Sequence, residues 1–246
     1  LSVTHSGIFT IAEAANITAD GGFTQAGTGT LAIGGTSAVT TKNAPISFNG
    51  SGTLTLNGDI FLTSSSDTAN GGNININTPV EPADNSAQSL TLSAGKGNIY
   101  FSSDTGTTKR IKDVSIQSAS EVEFTNKLNA NKISVTAEKI TLTQTAKLDT
   151  AETAVFSNSG ILLLEPGCSI EASTITQDGS GKNQIAGTIT AQEIILKNNT
   201  YIHNKTEINA EKFTVGSDTT PADLADLYIS ALEGGSPAQV TFNANV

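Results

Sequence analysis

Short apolar alternations recur along the whole chain, about every seven to ten residues. Each places β-favouring side chains on one side and Thr, Ser, Asn or Lys on the other, which is the period-two pattern of a half-buried strand. Runs of this kind are Gly7–Ile11, Thr30–Ile33, Thr53–Leu56, Asn73–Ile76, Ser89–Leu92, Lys132–Val135, Lys139–Leu142, Glu193–Leu196 and Gln239–Phe242. The pattern predicts a series of short β-strands along the chain.

Glycine-rich turn signals separate these strands, because glycine permits positive φ and close backbone approach. They are Asp20–Gly22, Gly27–Gly29, Gly34–Gly35, Asn49–Gly52, Asn57–Asp59, Gly71–Gly72, Gly95–Asn98 and Asp178–Gly181. An antiparallel sandwich or barrel and a parallel β-helix both use strands at this spacing. Two-residue hairpin turns are few and no long Greek-key connection is visible, so the parallel β-helix is favoured. With three strands in a coil of about 22 to 27 residues, residues 1–246 form one solenoid domain of about ten coils.

Two segments interrupt the regular alternation of strand and turn signals. Asn77–Asn85 contains two prolines, which cannot donate to a ladder, and we expect it to be a loop pushed out of one corner. Thr220–Leu227 carries a helix start, with Thr220 as the cap and Pro221 at the first helical position. We expect one helical turn there, within a second loop.

Two stretches far apart in the chain have similar sequences, a similarity here called the long-range echo. Leu90–Gly95 followed by Gly97–Phe101 resembles Leu227–Leu232 followed by Gln239–Phe242. The echo predicts that the chain ends inside a repeat that the middle contains whole. The chain has no initiator Met and no basic, apolar leader, from which we expect a piece of a longer repetitive protein.

The net charge and the hydropathy of the chain exclude some classes of binding partner. The net charge of −10, from 13 basic and 23 acidic residues, is spread along the chain, so nucleic acid is not an expected partner. Aromatic residues make up only 5% and Trp and Met are absent, which indicates a narrow interior of stacked Ile, Leu and Val. The longest apolar run, Gly160–Leu164, is far short of the roughly 20 residues of a membrane helix, and we expect no membrane insertion.

Few side chains suggest metal or nucleophile chemistry. Cys168 is the only cysteine and is expected to be a small buried apolar residue beside Pro166 and Gly167. His5 and His203 are the only histidines and are expected to lie coils apart, on the surface. Asp178–Gly181 and Asn57–Asp59 are interpreted as ordinary Asx turns, so we expect no metal site and no cofactor.

Several runs resemble a known family. Ile17–Thr30, Gly52–Gly58, Gly71–Ile76 and Ser89–Phe101 are similar to the repeats of filamentous-haemagglutinin-like bacterial exoproteins and giant repetitive surface adhesins. The resemblance covers most of the chain and is clearest before residue 125. It implies a right-handed parallel β-helix that is exported and serves, outside the cell or on its surface, as a filament, adhesin or matrix component. It implies no catalytic residues.

Paired carboxylates need separate consideration, because β-helix folds also host polysaccharide lyases and glycoside hydrolases. A glycosidase places two carboxyl groups about 5 to 10 Å apart in a cleft. Glu121 and Glu123 share one strand face, and Glu165 and Glu171 are candidates in adjacent turns. None has an acidic pair or an aromatic sugar platform beside it, so solvated surface is the favoured interpretation. The basic run Lys109–Lys112 is likewise interpreted as a solvated edge.

Threonine pairs raise the possibility of a flat ladder like those of β-helical ice binders. The pairs are Thr141/Thr143, Thr174/Thr176 and Thr188/Thr190. Their spacings of 33 and then 14 residues do not match a constant coil length. These pairs are therefore not expected to form a single ladder.

The sequence thus favours a non-enzymatic structural and adhesive segment of a bacterial cell-surface or secreted exoprotein. It would act as a stiff β-helical spacer, with residues 77–88 and 216–226 as the loops that contact a partner. Expected partners are glycans or proteins of a host or neighbouring cell, and open ladder edges predict end-to-end self-association. Two alternatives stay open: a carbohydrate-active enzyme that uses Glu121 and Glu123, and a binder of a repetitive surface, ice or glycan, through a Thr and Asn face.

Overall fold

The protein is an all-β solenoid in the computed structural model, which describes residues 1–65, 70–203, 206–216, 227–229 and 241–243, the last two segments by backbone only. The first strands are β1 (Ser2–His5), β2 (Phe9–Ile11), β3 (Asn16–Ala19), β4 (Phe23–Gly27), β5 (Leu31–Gly34), β6 (Ser37–Thr41), β7 (Ile46–Phe48), β8 (Leu54–Asn57), β9 (Ile60–Thr63), β10 (Ile74–Ile76), β11 (Val80–Pro82), β12 (Leu90–Ser93) and β13 (Ile99–Phe101). The remaining strands are β14 (Ile111–Ser118), β15 (Glu121–Phe124), β16 (Lys127–Leu142), β17 (Lys147–Leu164), β18 (Ser169–Glu171), β19 (Thr174–Gln177), β20 (Lys182–Ile185), β21 (Thr188–Leu196), β22 (Thr200–Ile202), β23 (Glu207–Val215), β24 (Leu227–Ile229) and β25 (Thr241–Asn243).

The strands stack in parallel ladders on three faces, through about nine turns. Face 1 begins with β1, β4 and β7, face 2 with β2, β5 and β8, and face 3 with β3, β6 and β9. The long strands β16, β17, β21 and β23 bend round corners and pair on more than one face. The predicted parallel β-helix is therefore confirmed, with about nine turns where about ten were expected.

Coil length varies more than the sequence indicated. The register pairs Ile60 with Leu90, 30 residues on, yet pairs Asn183 with Thr200 after only 17. The variation in coil length is accommodated at the corners and by local register shifts, as between Leu92 and Ser93.

The interior is one continuous apolar column, to which all three faces contribute. Along face 1, Ile46, Ile74 and Ile99 are paired in successive coils and are fully buried. Aromatic rings stack in the same way, since the ring centroids of Phe101 and Phe124 lie 5.2 Å apart. Burying one side chain of each alternating pair explains the period-two pattern that predicted the strands.

Glycines allow neighbouring coils to approach closely at the corners. A Cβ atom added to Gly52 would lie 2.2 Å from the carbonyl oxygen of Gly29, and one added to Gly29 would lie 1.9 Å from that of Gly7. No side chain fits at such distances. The glycine punctuation therefore marks places where backbones are in direct contact.

The proline segment differs from its prediction, because β11 lies inside Asn77–Asn85 and pairs with β8. The backbone N–H of Val80 donates to Asp104 O in the following coil at 3.0 Å. Because backbone directions alternate along a strand, Pro82 faces the same neighbour. At the level of Pro82 the following coil no longer pairs with β11. The absence of an N–H group on Pro82 therefore costs no hydrogen bond. The expectation that prolines exclude this segment from a ladder is wrong.

The long-range echo is not a structural repeat. The strand Leu90–Ser93 lies on face 3, whereas Leu227–Ile229 lies on face 1. Strands of all three faces bury one side against the same apolar column, so similar sequences arise on different faces. The predicted helical turn at Thr220–Leu227 lies outside the described residues except for Leu227, which is the first residue of β24. In the described part of the chain, no helix is long and apolar enough to cross a membrane.

Candidate functional site

The outer surface of face 3 carries two rows of small uncharged side chains, here called the hydroxyl face. In one row Thr18, Thr40, Thr63, Ser93 and Ser118 are paired in successive coils, and Thr136 pairs with Ser157 further on. The parallel row contains Ala38, Phe61, Thr91, Ser115, Ser134, Val155 and Thr176. Neither row contains a charged residue over these positions, in a chain of net charge −10.

The ladder sets the geometry of the hydroxyl face. Successive coils place equivalent side chains about 4.8 Å apart, and two residues along a strand separate the rows by about 6.6 Å. The hydroxyl oxygens of Ser93 and Ser118 lie 2.9 Å apart and share a hydrogen bond. Phe61, with 43% of its surface exposed, interrupts the otherwise small side chains. The result is an array of uncharged side chains, most of which carry a hydroxyl group.

The threonine pairs that the sequence suggested lie on three different faces. Thr141 is on face 1, Thr174 and Thr176 are on face 3, and Thr188 and Thr190 are on face 2. They form no common ladder, as expected. Thr141 is buried, and its hydroxyl has no hydrogen-bond partner. The hydroxyl face is not apparent from a constant residue spacing, because coil length varies. The available signal was a Thr or Ser as the fourth residue of β6, β9 and β12.

The candidate carboxylates are dispersed. Glu121 and Glu123 both point outward from β15, and the carboxylate of Glu121 accepts a hydrogen bond from the Lys139 amine at 2.7 Å. Glu123 lies in register between Tyr100 and Thr141. An ion pair with this exposure contributes little stability, and it ties up one of the two carboxylates.

The sequence predicts that Glu165 and Glu171 lie in adjacent turns, but the structure places them in the same coil. They flank one corner of a single coil, with Glu165 directly after the face 1 segment of β17 and Glu171 in β18 on face 2. Glu171 is instead paired in register with Asp149 of the preceding coil.

The histidines are separated as expected, since His5 lies in β1 and His203 directly follows β22, near the other end of the stack. His5 contacts the Gly7 carbonyl oxygen at 2.7 Å and the side-chain nitrogen of Gln25 at 3.0 Å. Gly7 lies in the corner after β1, and Gln25 lies in β4 of the next coil. They give His5 a structural environment.

Cys168 is buried, with 1% of its surface exposed, which confirms its predicted packing role. Burial, with a smaller contribution from the nearby Glu165 carboxylate, raises the pKa of the Cys168 thiol to about 12. A thiol in this state is a poor nucleophile at neutral pH.

In the basic run Lys109–Lys112, Lys109 and Lys112 are exposed as predicted for a solvated edge, whereas Arg110 is bound to the solenoid. The guanidinium of Arg110 donates to the carbonyl oxygens of Ala130 at 2.9 Å and Asp149 at 2.8 Å. It also forms an ion pair with the Asp149 carboxylate at 2.9 Å. A groove of about 300 Å³ lies beside this run, lined by Thr55, Glu81, Pro82, Ala83, Thr108 and Lys109.

A buried polar cluster fills one corner between faces 3 and 1. The amide nitrogen of Gln177 donates to Asn158 Oδ1 at 2.9 Å and to the carbonyl oxygens of Gly179 at 2.9 Å and Gly181 at 3.3 Å. Asn183 donates to Gln177 and to Thr200 from its own buried position. The sequence did not predict this cluster, because its polar residues occupy strand positions that elsewhere hold Ile or Leu.

The part of the chain that the structure describes contains no group of three or more His, Cys, Asp or Glu side chains arranged to hold a metal ion. Compared with family models, curated proteins and solved structures, the chain matches none of them. Among the described residues, the hydroxyl face and the groove beside Lys109 are the candidate binding sites.

Proposed function

We propose that this chain is a non-enzymatic structural and adhesive segment of a bacterial cell-surface or secreted filamentous exoprotein. The observation that carries the proposal is the solenoid itself, in which three parallel ladders run along one apolar column. Load along such a stack is shared by many backbone hydrogen bonds at once. The repeat-like runs that resemble filamentous-haemagglutinin-like exoproteins support the same function.

Surface display is the first part of this proposal to test. Antibodies against the purified chain are applied to intact and to permeabilised cells of the organism that produces it. The proposal expects labelling of intact cells that external protease removes. Labelling that requires permeabilisation contradicts the proposal.

Adhesion without turnover is the second part. The purified chain, immobilised on beads, is expected to retain cells or glycans without shortening any polysaccharide in a depolymerisation screen. Turnover that is lost in Glu121→Gln and Glu123→Gln variants would replace the proposal with a carbohydrate-active enzyme. The matched control is Glu207→Gln, which removes an exposed carboxylate on face 2.

A second candidate function is the binding of a repetitive neutral surface, ice or glycan, by the hydroxyl face. Its support is the paired register of hydroxyl side chains from Thr18 to Ser118, in rows free of charge. Thermal hysteresis distinguishes ice as the ligand, and pull-down with insoluble neutral polysaccharides distinguishes glycan. Flat results in both measurements remove this candidate.

End-to-end association follows from the same ladders. Strands β1, β2 and β3 each pair on one side only among the described residues. A further coil of the same kind would continue all three ladders, whether it belongs to the same chain or to a second copy. Light scattering of the isolated chain at high concentration tests self-association, and a strictly monomeric result contradicts it.

A further inference from the structure

Face 2 is the one face whose ladder is interrupted within the described strands. Strands β2, β5, β8 and β11 form a separate four-stranded sheet. Beyond β11 this face continues only through two isolated bridges, from Val80 to Thr105 and from Thr105 to Leu128. Residues 103–110, here called the strap, span this interruption.

Five backbone hydrogen bonds hold the strap in the stack, and one of them is donated by Ser86 N to Arg110 O at 2.6 Å. Val80 N donates to Asp104 O at 3.0 Å, and Gly106 N donates to Val80 O at 2.7 Å. On the other side Thr105 N donates to Lys127 O at 2.9 Å, and Asn129 N donates to Thr105 O at 2.9 Å. The neighbouring faces have complete three-residue or longer pairings in the same coils.

The strap also inserts a polar residue into the apolar column. Thr105 is fully buried between Val80 and Leu128, at a position equivalent to Leu54 in an earlier coil. Its hydroxyl contacts only the Ser103 carbonyl oxygen, at the long distance of 3.4 Å. A buried hydroxyl with so weak a bond stabilises the closed strap less than an aliphatic side chain would.

Charged side chains fasten the outer part of the strap. The Glu81 carboxylate accepts hydrogen bonds from the backbone N–H groups of Thr107 at 3.1 Å, Thr108 at 3.0 Å and Lys109 at 3.1 Å. Successive N–H groups that converge on one carboxylate form an anion-binding nest. At the other end, Arg110 binds Ala130 and Asp149, as described above.

We propose that the strap is a locally opening closure of face 2, fastened by Glu81 and Arg110. Faces 1 and 3 stay paired when it opens, because β13 and β14 have partners in the coils on both sides. Opening frees the edges of β11 and of residues 127–130 and removes one wall of the groove beside Lys109. The device is independent of the proposed adhesive function, since it depends only on contacts within the solenoid.

Hydrogen exchange of individual amides tests the strap. In the unmodified chain the amides of Thr105, Gly106 and Asn129 are expected to exchange by a local, denaturant-independent opening. The comparison amides are Thr125, bonded to Phe101 on face 1, and Ala94, bonded to Ser118 on face 3. These two are expected to exchange at least about tenfold more slowly, through larger openings.

Glu81→Ala is expected to speed exchange at the three strap amides about tenfold, because hydrogen bonds to a charged group are lost. Acetate added to this variant is expected to restore much of the protection by occupying the nest. The matched control Glu121→Ala removes an outward carboxylate whose partner is a lysine side chain, and strap exchange should change less than about twofold. Acetate without effect would overturn the role of the nest.

Thr105→Val provides a test that does not depend on weakening the fold. The variant replaces the buried hydroxyl with a methyl group and is expected to slow exchange at Gly106 and Asn129 about threefold or more. The proposal is overturned if strap amides and comparison amides exchange together in the unmodified chain. It is equally overturned if neither Glu81→Ala nor Thr105→Val changes strap exchange relative to the comparison amides.

Discussion

Ser93 lies directly beside Ser118 on face 3, with 2.9 Å between their hydroxyl oxygens. Ser93 also pairs with Thr63 on its other side, although 30 residues separate Ser93 from Thr63 and 25 separate it from Ser118. Unequal coils thus contribute equivalent hydroxyl groups to one surface. The unequal spacing is accommodated between the strands and by a register shift between Leu92 and Ser93, which leaves Gln117 without a partner in β12.

Charge placed on the hydroxyl face should abolish its binding to a neutral surface. Ser115→Lys and Ser134→Lys, made together, introduce two ammonium groups in adjacent coils. If the hydroxyl face binds neutral polysaccharide, the double variant should bind at least about tenfold more weakly in a pull-down assay, because the charges must be desolvated. The charge-matched control is Thr10→Lys with Thr188→Lys on face 2, and equal loss in both variants would contradict a role of face 3.

Gly52→Ala should destabilise the solenoid by about 2–4 kcal/mol in chemical denaturation. The added Cβ would lie 2.2 Å from the Gly29 carbonyl oxygen, so two backbones must separate. Gly21→Ala is the matched control, since nothing lies within 4 Å of a Cβ at that position. Similar losses in the two variants would show that coil contact at Gly52 is not the cause.

The buried thiol of Cys168 should make stability fall at alkaline pH. The pKa is raised from 9.0 to about 12, so below pH 9 the thiol is neutral in both folded and unfolded chains and its contribution is fully present. Between pH 9 and about 12 only the unfolded thiol ionises, which lowers the free energy of unfolding as pH rises.

Denaturation of the native chain and of Cys168→Ala across this pH range measures the effect. The difference in stability between the two chains should shrink as pH rises from 9, whereas a constant difference would contradict the raised pKa. Thiol reagents should label native Cys168 at neutral pH only at the rate of local or global opening.

Gln177→Ala should destabilise the chain by about 2–3 kcal/mol, because the substitution leaves buried acceptors unpaired. These acceptors are Asn158 Oδ1 and the carbonyl oxygens of Gly179 and Gly181. Gln184→Ala is the matched control, since Gln184 lies on the half-exposed outer side of β20. Its effect on chemical denaturation should stay within about 0.5 kcal/mol. Equal effects would indicate that the buried cluster adds no stability.

The sequence alone determined the strands and their parallel stacking, because one side of every strand must enter the same apolar column. Val135, Ile140 and Leu142 are buried as their alternation predicts, and so is Cys168. The glycine corners followed from the same logic, since only glycine permits the contact between Gly29 and Gly52. These features depend on local chemistry, which repeats along the chain.

The tertiary structure alone decided which outward side chains become neighbours. Register between coils depends on the length of every corner, and that length varies from one coil to the next. For this reason the hydroxyl face is not apparent from the sequence. Pro82 lies in a strand, contrary to the prediction from its missing N–H group, because the neighbouring coil does not pair there. The strap and the buried Gln177 cluster were hidden for a related reason. Both are polar departures from the alternation, and their hydrogen-bond partners come from coils that only the folded chain brings together.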